Sequence, residues 1–309
     1  MDDEPRACDT RPVTVVPRIA FNAMPPLSSL IDVEFGARSH AGGQPANEDH
    51  YLVLRLGRHQ EMLAGSLQHG EVPARFDEAA FGMVVADGMG TSGEGETASR
   101  LAIATLAHLV LHFGTWSVRI DERTRAEVLG RAERFYHRVD QAVTEAGYAH
   151  PALSGMSTTL TAAYVAGDTL FIAHVGHSRV YLYRDGRLKQ STRDQTLAQR
   201  LTETDQPAPI ELAARDLRHI LTDAIGGRTG SPDAEIECVK LQHDDRVLLC
   251  TNGLTDVVDD EGIAAVLGRP GTPDEHCQTL VDLARARGSA DNITVVIAKY
   301  RIPGAAAPR

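Results

Sequence analysis

Phe81-Gly82-Met83-Val84-Val85-Ala86-Asp87-Gly88-Met89-Gly90 is the stretch whose reading decides the fold. A short apolar run ends in an acid, and glycines follow at once. Such a run predicts a buried strand over Phe81–Ala86 that delivers the Asp87 carboxylate to a tight turn where the strand stops. Glycine at 88 lets the backbone carbonyl approach a ligand closely. Beyond it, Gly93-Glu94-Gly95-Glu96-Thr97-Ala98-Ser99 opens a long apolar-periodic segment, a helix. Gly88-Met89-Gly90-Thr91-Ser92-Gly93 also fits the G-x-G-x-x-G dinucleotide pattern. That fingerprint needs an acid about 20 residues on, at the end of a second strand. Here that region reads His108-Leu109-Val110-Leu111, still inside the helical pattern, so the acid before the first glycine points to metal instead.

Working outward, residues 1–29 carry Pro5, Pro12, Pro17, Pro25 and Pro26 with little periodicity. They predict an irregular leader with one strand near Val13–Ile19. The globular domain is expected over 30–301, and the Pro/Ala-rich 302–309 as a disordered tail. Ile31–Phe35 alternates like a half-buried strand. A Gly/Pro-rich loop from His40 to Ala46 leads to Asn47-Glu48-Asp49 and a strand over His50–Leu56. Gly57–Glu78 reads as a hairpin or a loop excursion. A second helix is expected from about Asp121 to Glu145, then a loop over Gly147–Gly155. Strands follow at Thr158–Val165, Thr169–Val175 and Val180–Tyr183, and weak helices between Thr196 and Leu221. Later strands are Ile236–Leu241, Arg246–Cys250 and Ile293–Lys299. A helix over Thr272–Arg287 takes Thr272 as N-cap and Pro273 at its first position. Many strand links are too short for helical crossovers, so mostly antiparallel sheet is implied. One compact domain with two sheets between helical layers fits this order.

Three polar strand ends stand out. Asp87 follows one strand. Thr251-Asn252-Gly253-Leu254-Thr255-Asp256 follows Arg246–Cys250. Ser289-Ala290-Asp291-Asn292 precedes Ile293. Convergence of such ends builds a carboxylate metal site, and oxygen-only ligands favour Mg²⁺ or Mn²⁺ over zinc.

Composition narrows the classes. The 309 residues, 42% hydrophobic, are enough for a large core. A net charge of −11 argues against nucleic acid as the main partner. Cys8, Cys238, Cys250 and Cys277 form no C-x-x-C pair, so no zinc knuckle or redox motif is signalled. A reducing cytoplasm is the expected compartment. No signal peptide is visible, and no apolar run approaches the ~18 residues of a membrane span, so no membrane partner is expected.

The chain resembles the metal-dependent protein phosphatase family (protein phosphatase 2C-type, PPM), as a bacterial-like single-domain member. The resemblance covers about Val33 to Tyr300. Its carriers are Asn47-Glu48-Asp49, Asp87-Gly88-Met89-Gly90 with Gly95-Glu96-Thr97-Ala98-Ser99, and Gly155-Met156-Ser157-Thr158-Thr159-Leu160. Gly176-His177-Ser178-Arg179, Leu249-Cys250-Thr251-Asn252-Gly253-Leu254 and Asp291-Asn292-Ile293-Thr294-Val295-Val296 complete them. Each motif is weak alone; their common order is specific. The resemblance implies an α+β fold, a four-layer α-β-β-α sandwich, with two Mn²⁺ or Mg²⁺ ions in a cleft at one sheet edge. Asp87 would bridge the ions, the Gly88 carbonyl would hold one, and Asp291 with Asn252 would complete the other. Glu48 and Asp49 would orient metal-bound waters. Asp87, Asp291, Glu48 and Asp49 would thus carry the hydrolysis of a phosphoserine or phosphothreonine by metal-activated water. A phosphorylated protein would be the substrate, with a Ser/Thr kinase as a candidate partner.

The departures from the family pattern cluster at the chemistry. Asn252 stands where members carry Asp, which removes one full negative charge. The usual phosphate-binding Arg before Asn-Glu-Asp is replaced by Gln44-Pro45-Ala46; Gln44 offers a weak, uncharged substitute, and Arg38 could serve only if the loop folds back. His177 replaces the Asp of Gly-Asp-Ser-Arg, and His40 replaces another Asp. His174 is read as a structural strand residue and His177 as an altered turn residue, with a histidine-held transition metal as the alternative. Thr91 and Ser157 replace glycines, and Ala152 stands near where an acid often serves a third ion, so no third site is expected. Gln195 replaces a commonly polar-basic position. Two readings follow: a Ser/Thr phosphatase with weakened metal and phosphate binding, or an inactive pseudophosphatase that binds a phosphoprotein or kinase. A hydrolase of small phosphate esters would share the same core.

Overall fold

The computed structural model describes residues 31–66, 72–90, 93–114, 122–203, 216–227 and 230–302. Most of the expected leader and tail, including the strand near Val13–Ile19, lies outside them. Strands β1 (Asp32–His40), β2 (Asp49–Glu61) and β3 (Arg75–Met89) come first, then helices α1 (Glu94–Phe113) and α2 (Glu122–Ala149). β4 (Ser157–Thr158), β5 (Leu160–Ala166), β6 (Thr169–Val175), β7 (Arg179–Arg184) and β8 (Arg187–Gln190) follow, then α3 (Leu197–Glu203). The last third holds β9 (Ile225–Gly226), β10 (Glu235–Lys240), β11 (Arg246–Cys250), α4 (Asn252–Thr255), α5 (Asp260–Leu267), α6 (Pro273–Ala286) and β12 (Ile293–Arg301).

The strands form two sheets. One runs β1-β12-β11-β7-β8; the other runs β10-β6-β5-β3-β4-β9, with β2 also paired on β3. Every ladder is antiparallel. Period-2 alternation sorts the side chains into layers. Met83 and Val85 of β3 face the other sheet, where Leu249 of β11 and Val296 of β12 meet them. Val84 and Ala86 face the opposite way and pack under α1 and α2 against Ala102, Leu106, Phe135 and Val139. On the far side, Leu248, Val295 and Ile297 pack under α5 and α6 against Ile263, Leu280 and Ala284. The order of layers is helix, sheet, sheet, helix, as expected. Between the α1–α2 layer and its sheet lies a partly open apolar pocket of about 140 Å³, lined by Leu54, Val84, Leu106, Phe135, Ala162 and Phe171 among others.

Several boundaries differ from the sequence reading. Of the two readings offered for Gly57–Glu78 the hairpin holds, but its strands are longer than expected: β2 continues to Glu61 and β3 starts at Arg75, paired residue for residue. β3 does not stop at Asp87: Gly88 and Met89 pair with Thr158 and Ser157, so a second partner extends the strand. The loop expected from Gly147 begins later, since α2 runs to Ala149. α5 was not anticipated; its N-cap is Asp259, whose side chain accepts from the Gly262 N–H. The end of β11 is no simple turn, since Asn252–Thr255 form one helical turn. α6 starts as predicted, with a reciprocal capping box between Thr272 and Glu275. Among the described residues no helix is long and apolar enough to cross a membrane.

Candidate metal and catalytic centre

The candidate site lies where the layer between the sheets runs out. Asp87 is two residues beyond Val85 and so shares its face. Asp49 lies directly opposite Asp87 in the β2–β3 ladder. Like charges so placed repel, and both are buried. The second sheet supplies Thr251, just after β11, whose hydroxyl donates to Asp49 Oδ2 at 2.7 Å. The same hydroxyl accepts from the Thr294 N–H at 3.0 Å. Thr251 thereby ties the two sheets at the site, and its neighbour Asn252 extends Nδ2 to Asp291 Oδ2 at 3.2 Å.

Backbone and hydroxyl contacts fix each carboxylate. The Asp87 N–H donates to Thr159 Oγ1 at 2.9 Å, and the Thr158 hydroxyl donates to Asp87 O at 2.8 Å. Asn292 holds the loops together. Its Oδ1 accepts from the Glu48 N–H at 2.7 Å, and its Nδ2 donates to the Ala41 and Ala46 carbonyls at 2.9 Å each. Ser99 of α1 donates to the Glu48 carbonyl at 2.6 Å. Gly88 and Gly95 are in backbone contact: a Cβ at 88 would stand 2.0 Å from the Gly95 carbonyl oxygen. No larger residue fits there, so glycine follows from the close approach of α1 to β3. Sequence reasoning singled out the motifs containing Ser99, Thr251, Thr159 and Asn292 but gave these residues no role. Their signal is weak, because a buried hydroxyl or amide in an apolar run looks like ordinary core.

The electrostatics are those of crowded, buried acids. Burial, followed by repulsion from Asp49, Asp291, Asp256 and Glu48, raises Asp87 well above the usual carboxylate range. Asp49 is pushed up to about 7, mainly by burial, against the help of Thr251 and Thr294. Burial also raises Glu48. Two acceptors in this cluster, Asp49 Oδ1 and Asn252 Oδ1, are buried with no hydrogen-bond partner among the described residues. Opposed carboxylates with orphaned oxygens fit a hard divalent ion. Among the described residues, no three His, Cys, Asp or Glu side chains could hold an ion by themselves. An ion here would also need the Gly88 carbonyl, the Asn252 oxygen and water.

Asp87, Gly88, Glu48, Asp49, Asn252 and Asp291 are thus brought together. Gln44 is not part of this network: it is exposed, in the tight turn where its N–H donates to the Ala41 carbonyl at 3.0 Å. Arg38 is held elsewhere, in a two-pronged pair with Asp274 of α6 at 2.5 Å per contact. In this arrangement the loop does not fold Arg38 back. His174 is a satisfied core residue. Its Nδ1 contacts the Thr161 hydroxyl at 2.8 Å, Nε2 contacts the Arg193 carbonyl at 3.1 Å, and burial lowers it to about 4. His177 differs: it is buried, also lowered to about 4 by burial, and its Nδ1 has no hydrogen-bond partner among the described residues.

Comparison with known proteins then places this architecture. The family model for protein phosphatase 2C matches residues 73–282. The chain belongs to the protein phosphatase 2C family. It is 36% identical over 251 residues to the serine/threonine protein phosphatase PstP of Mycobacterium tuberculosis, covering 80% of this chain and 45% of PstP. It therefore spans about half the length of that relative. The serine/threonine phosphatase stp of Listeria monocytogenes is 30% identical over 215 residues, 70% of this chain and 82% of stp. Among solved phosphatase-2C structures, the catalytic domain of PstP in complex with two manganese ions superposes with a TM-score of 0.67 at 32% identity, covering 88% of this chain and 99% of that one. The serine/threonine phosphatase of S. agalactiae gives 0.68 at 26% identity, covering 86% and 99%.

Proposed function

We propose that this chain is a metal-dependent protein serine/threonine phosphatase, with a domain spanning about 30–301. The observation that carries this reading is the buried, opposed Asp49–Asp87 pair with orphaned oxygens on Asp49 and Asn252. The PstP complex with two manganese ions supports Mn²⁺ or Mg²⁺ as the ions. Asp87, the Gly88 carbonyl, Asn252 and Asp291 would hold them. Two such ions would supply a water of lowered pKa and neutralise phosphoryl oxygens. The chain's own residues position the rest. Thr251 and Thr159 lock Asp49 and the Asp87 backbone, so little reorganisation remains at the moment of reaction. Glu48, held through its backbone by Ser99 and Asn292, and Asp49 would orient bound water by accepting its hydrogen bonds. A phosphorylated protein is the proposed substrate and a Ser/Thr kinase the proposed partner, in the cytoplasm.

One observation favours a second reading. The Asn252 amide donates to Asp291, so it occupies a lone pair that an ion would otherwise use and adds no charge. Gln44 supplies no cation for a phosphate. A binding module that recognises phosphoproteins without turnover fits those facts.

Mn²⁺-dependent hydrolysis of p-nitrophenyl phosphate separates the readings. The wild type is expected to turn over, Asn252→Asp to do so at lower Mn²⁺, and Asp87→Asn not at all. Undiminished turnover in Asp87→Asn would reject the proposed site. A wild type that stays silent at saturating Mn²⁺ would hand the conclusion to the binding-module reading.

A further inference from the structure

We propose that His177 presents Nδ1 as an added ligand to the divalent ion held by Asp87, biasing the site from Mg²⁺ toward borderline transition ions such as Co²⁺ and Zn²⁺. The inference rests on the metal-site reading above.

The turn that carries His177 is pinned on both sides. Gly176 has φ +110, with its Cα against Thr159: a Cβ there would stand 2.5 Å from Thr159 Cγ2. Its N–H donates to Gln195 Oε1, and its carbonyl accepts from the Gln195 N–H, both at 2.8 Å. Ser178 Oγ meets Thr159 Oγ1 at 2.8 Å. Arg179 forks onto Asp194 at 2.8 and 2.6 Å. Gln195, noted in the sequence only as a departure, is thus one of the clamps that set where the 177 side chain leaves the backbone.

The ring so fixed is 7% exposed. Its Nδ1 stands 3.9 Å from Asp87 Oδ2. That is too long for a hydrogen bond. It is about 0.5 Å longer than the separation of two ligands on one tetrahedral ion, where bonds of about 2.1 Å put N and O about 3.4 Å apart, so a bound ion would have to draw the pair together by that amount. A purely structural histidine predicts something else, which His174 supplies, with both ring nitrogens partnered. A buried nitrogen left unpaired is costly, and an ion would remove that cost. The ligand set is also internally consistent. Asn252 brings no charge, and neutral imidazole brings none either but is a softer donor. A site with fewer carboxylates and one nitrogen loses its advantage for Mg²⁺ and gains for Co²⁺ and Zn²⁺.

The test reads the ion directly. Tag-free wild type, His177→Ala, His177→Gln and Asp87→Asn are titrated with Co²⁺ while the visible absorption band is followed, and with Mg²⁺ by calorimetry. Wild type is expected to bind Co²⁺ with a nitrogen-shifted band. Both His177 variants are expected to lose the shift and about tenfold or more of Co²⁺ affinity, with Mg²⁺ affinity nearly unchanged. Mn²⁺-loaded wild type supplies a readout that needs no variant: electron spin echo modulation from an imidazole nitrogen is expected. Folded His177 variants that keep the wild-type band and Co²⁺ affinity, or no imidazole modulation in wild type, would overturn the proposal. In that case loss of Co²⁺ binding in Asp87→Asn would leave the metal site itself standing. A wild type that binds no divalent ion would overturn both.

Discussion

His174 shows how much a single buried side chain contributes to the acid limit of this protein. Its imidazole is satisfied in the neutral form by Thr161 and Arg193, and burial lowers it to about 4. In the unfolded chain it titrates near 6.5. Between those values the unfolded state binds more protons, so stability rises with pH there. The contribution is complete above about 6.5 and is lost as pH falls toward 4. From pH 7 to pH 5 the loss attributable to this residue is about 2 kcal/mol. Urea midpoints at the two pH values should show it in wild type and lack it in His174→Gln. Parallel pH profiles would reject the assignment. The residue type and strand position were legible in sequence as structural; the partners were not, since Thr161 comes opposite His174 only when β5 and β6 pair, and the Arg193 carbonyl arrives from the loop after β8.

Elements were most legible where local chemistry and tertiary environment agree. Thr272, Pro273 and Glu275 announce α6, and the capping box is there. Asp259 and Asp260 look like an acidic loop, so α5 went unread, although one of them is a cap and the apolar face behind it is short. Asp87 looked like a strand end because glycines follow, yet Thr158 and Ser157 arrive from far along the chain to extend β3. The candidate site residues were legible through motif order, while the clamps around them, Ser99, Thr251 and Asn292, acquire meaning only when the loops meet. Gly36 makes the point testable. It sits in the middle of β1, where a lone glycine usually weakens a strand. Here the start of α6 rests on it: a Cβ would fall 2.4 Å from the Pro273 carbonyl carbon and the Asp274 N. Those are backbone atoms and cannot rotate away. Gly36→Ala is expected to destabilise by about 2 kcal/mol or more, read from the urea midpoint, by pushing α6 off its sheet. A change under about 0.5 kcal/mol would mean that the helix rides more loosely than the contact implies.

At the scale of the whole molecule, the two halves of the sandwich are not equally filled. Ile263, Val266, Leu280 and Ala284 close tightly over one sheet. The α1–α2 layer spans its sheet and leaves the 140 Å³ apolar pocket beneath it. The pocket is partly open, but its walls are almost wholly apolar, so water packs poorly against them. Poorly filled space is lost when the chain unfolds, and the system then occupies less volume. Hydrostatic pressure should therefore act selectively on this protein. The unfolding volume is expected to be negative by several tens of mL/mol. Under kilobar loading, NMR signals of Leu54, Val84 and Leu106 should fade before those of Ile263 and Leu280. Simultaneous fading would mean that the two faces yield as one. The layer that yields first carries Ser99, which holds the Glu48 carbonyl, so compression would loosen the Glu48 loop of the candidate site before the opposite helical face gives way.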